Sequence, residues 1–213
     1  MRVLIGTTNP SKAEQFAGML SGFGLEFVTL ADLGVCDEPK EAGRTPVENA
    51  MIKAAFYGQY ADCVICADSG LYFDGLALED PRQPGLHIRT PDGGKRLDDE
   101  EMIAYYAQAV HHLGGKIMAY YLNGFAVKTE TGVHGFQWTK EEARMGAFYM
   151  LDTPCEARCP GWPLDSLCVD VNGISFTDPA WEEPESLSWT RESRLRAFLI
   201  ETLNLSRENI KAI

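Results

Sequence analysis

The chain has 213 residues, 45% of them hydrophobic and 23% charged, and its formal net charge is −12. This composition is typical of a globular protein with a sizeable core and excludes a disordered or fibrous chain. The acidity argues against nucleic acid as the main partner, because a polyanion binder usually presents a basic surface to the phosphates. A small phosphorylated ligand is still compatible, provided that a divalent cation bridges its phosphates to protein carboxylates.

The first half of the chain alternates strands and helices. Strands are predicted at residues 2–6, 25–30 and 64–67, and helices at residues 12–20 and 46–60. Ser11 is the expected N-cap of the first helix, and Pro46 suits the first turn of the second. This order predicts an α/β domain with a partly parallel sheet.

The second half begins with a loop at residues 79–94, which are rich in proline, glycine, arginine and aspartate. Capping and turn signals predict two helices, one that follows Asp98 and Asp99 and runs to residue 112 and a final one at residues 190–203. They also predict two hairpins, one formed by residues 116–128 and 133–138 and one around Asn172-Gly173. Residues 140–151 fit either a helix, because Thr139 and Glu142 match a capping box, or a strand.

No apolar run approaches the ~18–20 residues of a membrane-spanning helix. The first strand turns polar at Thr7-Thr8-Asn9, too soon for the apolar region of a secretory signal, so a cytoplasmic protein is expected. The six cysteines are predicted to be free thiols. Cys155 and Cys159 have a metal-like spacing, but no second Cys/His pair completes a zinc site.

The turn from the first strand to the first helix reads Thr7-Thr8-Asn9-Pro10-Ser11-Lys12. A helix N-terminus attracts anions through its unpaired N–H groups and its dipole, and two hydroxyls, an amide and a lysine add to this. The turn lacks the second glycine and the GK[ST] ending of a Walker sequence. A capped turn with a solvated lysine explains the same residues, so both interpretations stay open on local pattern alone.

Two carboxylates are candidates for a metal site. Asp68 follows the third predicted strand, at the end where open α/β sheets bind ligands, and Glu41 precedes the second helix. Mg²⁺ takes only one or two protein carboxylates, so this pair suffices in number, although both also fit ordinary surface acids. Lys53 lies one helical turn from Asn49 and faces either a ligand or solvent.

A later loop places an aromatic side chain beside an acid, in Gly161-Trp162-Pro163-Leu164-Asp165. This arrangement can hold a nucleobase by stacking on the ring and by polar contact to the base edge. Packing of Trp162 within its own loop is the alternative.

Together these segments resemble the inosine triphosphate pyrophosphatase family, house-cleaning enzymes for non-canonical purine nucleoside triphosphates. The similarity runs from residue 2 to about residue 89 and rests on ordered motifs: Thr7-x-Asn9-x-x-Lys12, Leu20-Ser21-x-Phe23-Gly24-Leu25, Asp32-Leu33-Gly34-Val35, Glu41-x-Gly43-x-Thr45-x-x-Glu48-Asn49-Ala50-x-x-Lys53-Ala54, Asp68-Ser69-Gly70-Leu71, Asp74 and Pro84-Gly85. The resemblance implies one elongated, two-lobed α/β domain over residues 1–213, with a central mixed β-sheet flanked by helices. It also implies a homodimer with the active site in the cleft between the lobes.

The resemblance further implies a Mg²⁺-dependent reaction on a nucleoside triphosphate. Glu41 and Asp68 would hold the metal, and Asp68 would position or deprotonate the water that attacks the α-phosphorus, releasing pyrophosphate and a monophosphate. Phosphoryl-type transfer needs positioning and charge neutralisation, which fits such a site. The substrate-binding residues would be Thr7, Thr8, Asn9, Lys12, Lys53, Ser69, Trp162, Asp165 and Arg194.

The chain also departs from the family pattern. The usual pair of acids before Ser-Gly is Ala67-Asp68, the Glu-Lys-Asn element aligns with Glu182-Glu183-Pro184, and the His-Arg pair before the last helix is Ser193-Arg194. Two functions therefore remain open. The first is an active pyrophosphatase for (d)NTPs, with non-canonical purine nucleotides such as ITP or XTP, or a shifted set of bases, as substrates. The second is a nucleotide-binding protein of the same fold that has lost turnover.

Overall fold

The computed structural model describes residues 1–91, 93–182 and 185–205, with side chains in the last helix described from residue 193 onward. The chain divides into two compact units, each built from separated stretches of sequence. The first unit comprises Met1–Ser69, Asn123–Trp138 and the described chain from Ser188. The second comprises Gly70–Leu122 and Thr139–Leu187.

Within the described residues, a mixed sheet of seven strands carries the fold. Its strands are β1 (Arg2–Ile5), β2 (Glu26–Thr29), β3 (Val64–Phe73), β4 (Lys116–Thr129), β5 (Gly132–Gln137), β6 (Phe148–Leu151) and β7 (Cys168–Val169). The strand order is β2-β1-β3-β4-β6-β7, and β5 pairs with β4. β1 pairs parallel with both β2 and β3, whereas the pairs that β4 forms with β5 and β6 are antiparallel. The prediction of a mixed α/β sheet is therefore confirmed.

Five α-helices and one 3-10 helix are found in the described part of the chain. They are α1 (Pro10–Met19), α2 (Pro46–Tyr57), α3 (Asp99–His112), α4 (Lys140–Met145), a 3-10 helix (Pro163–Leu167) and α5 (Glu185–Thr202). The predicted capping of α3 is confirmed, since Asp98 and Glu101 form a reciprocal capping box. Residues 140–151 contain both predicted alternatives in succession, a capped helix and then a strand.

The first unit buries its central parallel strand, β1, on both faces. Val3, Leu4 and Ile5 of β1 are almost fully buried, as expected for a parallel strand with helices on either side. One core cluster packs α1 and α5 against the sheet around Phe16 and Leu199.

Two local predictions are wrong. Asn9, not Ser11, caps α1: its backbone is extended, its Oδ1 accepts a hydrogen bond from the Ser11 N–H, and Pro10 begins the helix. The third strand does not end at residue 67, because β3 continues through Asp68, Ser69 and Gly70 to Phe73. Ser-Gly favours a turn locally, but burial of the apolar residues that follow, Leu71 and Phe73, holds this segment in the sheet.

The hairpin of β4 and β5 supports α2. Gly124 and Gln137 are directly opposite partners in this hairpin, and both contact Val47 in the first turn of α2. A Cβ on Gly124 would lie 2.1 Å from the Val47 nitrogen, so a side chain there would collide with the helix backbone. The Gln137 Oε1 accepts the Val47 N–H at 3.1 Å. The opposite pair of Gly124 and Gln137 therefore positions the N-terminus of α2.

The second unit has its own core, which packs α3 against β6 and the 3-10 helix around Tyr106, Phe148 and Leu167. The hairpin predicted around Asn172-Gly173 is present only as a tight turn, with Gly173 at φ +88° and a single bridge between Val169 and Ser175.

All six cysteines are free thiols, as predicted. Within the described residues, no helix is both long and apolar enough to span a bilayer. Of the Glu182-Glu183-Pro184 motif, Glu183 and Pro184 lie outside the described residues.

Candidate functional site

The turn between β1 and α1 is held by its own side chains. The Thr7 hydroxyl accepts a hydrogen bond from the Asn9 N–H at 3.2 Å, and the Asn9 Oδ1 accepts from the Ser11 N–H at 3.0 Å. Thr8 is exposed, whereas Thr7 and Asn9 are half-buried. Hydrogen bonds from backbone N–H groups to the Thr7 and Asn9 side chains thus determine the backbone conformation of this turn, as glycines do in a Walker loop.

Lys12 connects this turn to β3. Its Nζ donates to the Ser69 Oγ at 3.4 Å, and Asp68 precedes Ser69 on the strand. This meeting follows from the topology, because β1 and β3 are parallel neighbours whose carboxyl ends lie at the same edge of the sheet. Asp68 lies within β3 but beyond its pairing with β1, because Ile65, three residues earlier, is the last β3 residue paired with that strand.

Lys53 is the centre of the charged cluster. Its Nζ lies 2.7 Å from the Glu41 Oε1 and 2.8 Å from the Asp68 Oδ1, so one ammonium bridges both predicted metal ligands. The Lys53 and Asp68 side chains are only 18% and 13% exposed, whereas Glu41 is 40% exposed. The helix, the loop before it and β3 therefore converge on one position.

Asn49 fixes the orientation of Asp68. It is 2% exposed, and its Nδ2 donates to the Asp68 Oδ2 at 3.0 Å while its Oδ1 accepts the Gly43 N–H at 2.8 Å. A Cβ on Gly43 would lie 2.6 Å from the Asn49 oxygen, so the close approach of that backbone requires glycine. Sequence reasoning placed Asn49 on the Lys53 face but gave it no role. The i, i+4 spacing of the two residues was the available signal.

The charges in this cluster are mutually stabilising. Burial by itself would lower the pKa of Lys53, but the attraction of Asp68 and Glu41 and the hydrogen bonds to both raise that pKa overall. The ammonium therefore stays charged at neutral pH and neutralises part of the carboxylate charge. Tyr57, on the same helix, has its pKa raised to about 12, chiefly by burial and then by Glu38.

The carboxylates beside Lys53 are a donor set that suits Mg²⁺ only in part. In the described residues, no group of three or more His, Cys, Asp or Glu side chains is placed to hold a metal ion alone. Glu41 and Asp68 do converge on one cation position, and Mg²⁺ commonly takes two carboxylates and completes its shell with water and substrate phosphates. The residues therefore fit a metal shared with a phosphorylated substrate, and not an all-protein metal centre.

Trp162 and Asp165 belong to the second unit and flank the start of the 3-10 helix. Trp162 is 37% exposed, so its ring is not part of the core. The Asp165 N–H donates to the Trp162 carbonyl at 3.1 Å. Burial raises the pKa of Asp165 to about 6, against the opposing effect of a hydrogen bond with Cys159. This carboxyl therefore changes charge just below neutral pH.

Arg194 lies on α5 in the first unit. Its guanidinium carbon stands 5.4 Å from the centroid of the Phe136 ring on β5, a cation–π contact at an exposed position. Its predicted part in substrate binding stays a prediction.

The chain is similar to known proteins. A model of the Ham1 family matches residues 3–139, which is more than half of the chain. The match extends well beyond residue 89, where the motif resemblance weakens.

Curated relatives match about half of the chain. A dITP/XTP pyrophosphatase of Thermoanaerobacter pseudethanolicus is 36% identical over 102 residues, covering 46% of this chain and 52% of the relative. The protein of that name from Thermus thermophilus is 34% identical over 117 residues, covering 54% and 53%. The matched region thus spans about half the length of these relatives.

Solved structures match almost the whole chain. The Ham1 protein of Staphylococcus aureus superposes with a TM-score of 0.67 at 18% identity, covering 95% of this chain and 100% of that one. A HAM1 protein from Coxiella burnetii gives 0.67 at 20% identity, covering 94% and 99%. These similarities establish the fold. The match of the family model shows that the chain belongs to the Ham1 family, as its resemblance to the inosine triphosphate pyrophosphatases predicted.

Proposed function

We propose that this chain is a Mg²⁺-dependent nucleoside triphosphate pyrophosphatase whose substrates are non-canonical purine (d)NTPs such as ITP or XTP. The observation that carries the proposal is the convergence of Glu41, Lys53 and Asp68 on one position, beside the turn that Lys12 links to Ser69. The names of the curated relatives, dITP/XTP pyrophosphatases, support the substrate class.

The phosphate-binding residues follow from the charges of the site. A triphosphate carries several negative charges, and two ammonium groups, those of Lys12 and Lys53, lie at the edge of the sheet where it would bind. Thr7, Thr8 and Asn9 provide further polar groups at the start of α1, whose dipole also favours an anion. We assign the triphosphate to this turn.

Asp68 is proposed as the residue that handles the attacking water. Its two carboxylate oxygens are held by Lys53 and Asn49, so the group has a defined orientation before substrate arrives. The water oxygen bonds to the α-phosphorus, the bond from that phosphorus to the bridging oxygen breaks, and pyrophosphate leaves with the electron pair. The proton of the water passes to Asp68 and then to solvent. Positioning of this kind accounts for much of phosphoryl-transfer catalysis.

Glu41 and Asp68 are the residues that would hold Mg²⁺. When bound, the metal would neutralise charge that develops on the phosphate oxygens. The Lys53 ammonium would then be available to the triphosphate, because its present acceptors would be shared with the metal.

Base recognition is proposed for Trp162 and Asp165. The exposed indole offers a flat apolar surface, and the Asp165 carboxyl offers a polar group for a base edge. Arg194 is proposed as a further contact to the nucleotide. A cytoplasmic homodimer that does not bind nucleic acid remains our expectation for the assembled protein.

A nucleotide panel tests the proposal. The protein is incubated with ITP, XTP, dITP and the canonical (d)NTPs, with Mg²⁺ or with EDTA, and pyrophosphate and monophosphate are measured. We expect Mg²⁺-dependent release of both products from ITP or XTP, and at least about a hundredfold loss of the rate in Asp68→Asn. Asp170→Asn, a change of the same kind at an aspartate in the turn around Asn172-Gly173, is the matched control and should retain the rate.

Two outcomes would overturn the assignment. Pyrophosphate release from no nucleotide, together with measurable nucleotide binding, would identify the chain as a binding protein without turnover, consistent with the loss of an acid at Ala67. Equal activity of Asp68→Asn and the unmodified chain would remove Asp68 from the mechanism.

A further inference from the structure

Lys53 occupies the position at which its two carboxylate partners would hold a metal. Its Nζ contacts one oxygen of Glu41 and one oxygen of Asp68, at 2.7 and 2.8 Å. The second oxygen of Asp68 is held by Asn49, which is itself buried and bound to the Gly43 N–H. Asp68 therefore cannot easily turn away from Lys53.

The lysine and a divalent cation would consequently compete for the same oxygens. The Lys53 and Asp68 side chains are largely shielded from water, so these charges are not screened as surface charges are. A second cation placed beside the ammonium would be repelled by it, and displacing the ammonium without a new partner would leave its charge uncompensated. Binding of a free metal ion at this site therefore has an electrostatic cost that binding of a metal–nucleotide complex does not have.

A triphosphate removes this electrostatic cost. Lysine has a flexible four-carbon side chain, so its ammonium can exchange a carboxylate partner for a nearby phosphate oxygen without movement of the helix. We propose that Lys53 is an internal counter-ion, which holds Glu41 and Asp68 in the nucleotide-free protein and excludes free divalent cations until a triphosphate provides it with another partner. This inference rests on the proposed function, because it takes Glu41 and Asp68 as the metal ligands.

Direct titration with Mn²⁺ tests the inference without any measurement of catalysis. Free Mn²⁺ is counted by electron paramagnetic resonance in nucleotide-free protein, with Mn²⁺ as the paramagnetic substitute for Mg²⁺. Lys53→Met should bind Mn²⁺ at least about tenfold more tightly than the unmodified chain, since one neighbouring positive charge is removed from the site. Lys53→Arg, which keeps the charge, should stay weak.

Two further variants make the result specific. Lys40→Met removes the same charge at an exposed residue next to Glu41 in the sequence and should leave Mn²⁺ affinity within about twofold of the unmodified chain. Lys53→Gln removes the charge but keeps a hydrogen-bond donor for the carboxylates, so it provides the measurement if Lys53→Met does not fold. A non-hydrolysable triphosphate analogue should raise Mn²⁺ affinity more in the unmodified chain than in Lys53→Gln.

The outcomes separate this inference from the proposed function. Unchanged or weaker Mn²⁺ binding in folded Lys53→Met or Lys53→Gln would overturn the inference, even if the nucleotide panel shows turnover. Equal tightening in Lys40→Met would also overturn it, because a general field effect would then explain the result. Tighter binding confined to the neutral Lys53 variants would support it, even if no nucleotide is hydrolysed.

Discussion

Asp165 is expected to destabilise the folded protein at neutral pH. Burial raises the pKa of its carboxyl from 3.8 to about 6, with a hydrogen bond from Cys159 opposing the increase. The folded chain therefore binds this proton more tightly than the unfolded chain does. As the pH rises from about 4 to about 6, the unfolded state loses the proton first, and the free energy of unfolding falls.

The size of the effect follows from the two pKa values. A tenfold change in proton affinity corresponds to about 1.4 kcal/mol, so the difference between 3.8 and about 6 corresponds to about 3 kcal/mol above pH 6. Asp165→Asn removes the buried charge and keeps an acceptor for the Cys159 thiol. We expect this variant to be more stable than the unmodified chain by up to about 3 kcal/mol at pH 7.5, and by much less at pH 4.

Urea unfolding at both pH values, followed by circular dichroism, measures this difference. Asp170→Asn is the matched control with the opposite sign, because backbone and side-chain hydrogen bonds from Ile174 and Asn172 lower the pKa of Asp170. That variant should lose stability at pH 7.5. The reasoning is refuted if Asp165→Asn is no more stable at pH 7.5, or if its gain is the same at both pH values.

Other expectations concern the site and its support. Asn49→Ala should lower the free energy of unfolding by about 1–3 kcal/mol, measured in urea, because it leaves the Gly43 N–H and one Asp68 oxygen without their partner. Gly124→Ala should lower the thermal midpoint sharply or prevent folding, whereas Gly18→Ala, where a Cβ meets nothing within 4 Å, should raise it by the equivalent of about 0.5–1 kcal/mol. Trp162→Ala should weaken nucleotide binding by about 1–3 kcal/mol in calorimetry, with little effect on the thermal midpoint.

Each of these has a contrary result. Unchanged stability of Asn49→Ala would mean that water replaces its hydrogen bonds. Equal thermal midpoints for the two glycine variants would contradict the close contact at Val47. Unchanged nucleotide affinity in Trp162→Ala would reject stacking on the indole.

Local signals predicted most of the secondary structure. Capping residues located α3 closely, and the capping box at Thr139 made a helix one of two alternatives for residues 140–151. The apolar residues of β1 predicted a strand, which is buried in the structure. The end of β3 was missed because Ser69-Gly70 favours a turn locally, whereas tertiary packing of Leu71 and Phe73 keeps the chain extended. The cap of α1 was misplaced by two residues, since Pro10 is equally compatible with the turn and with the first helical position.

The candidate residues could be listed from the sequence, but the contacts among them could not be predicted. Local pattern made Glu41, Lys53 and Asp68 candidates without deciding between a site and an ordinary surface, and their proposed roles came from the family resemblance. Their common contact depends on how α2 lies against β3, which no local pattern specifies. For the same reason, the role of Asn49 was not apparent, because its two partners lie six residues before it and nineteen residues after it.

The contact of Gly124 and Gln137 with Val47 has a consequence for how the chain tolerates change. Asn49 and Lys53 lie on the helix that this contact anchors, so two residues outside the proposed site govern the alignment of their side chains. An insertion at the exposed tip, Glu130-Thr131, should be tolerated, because it lengthens a solvent loop. A one-residue deletion within β5 would turn the Gln137 side chain to the other face of the sheet. The Val47 N–H would then lose its acceptor, and we expect the proposed site to lose its alignment.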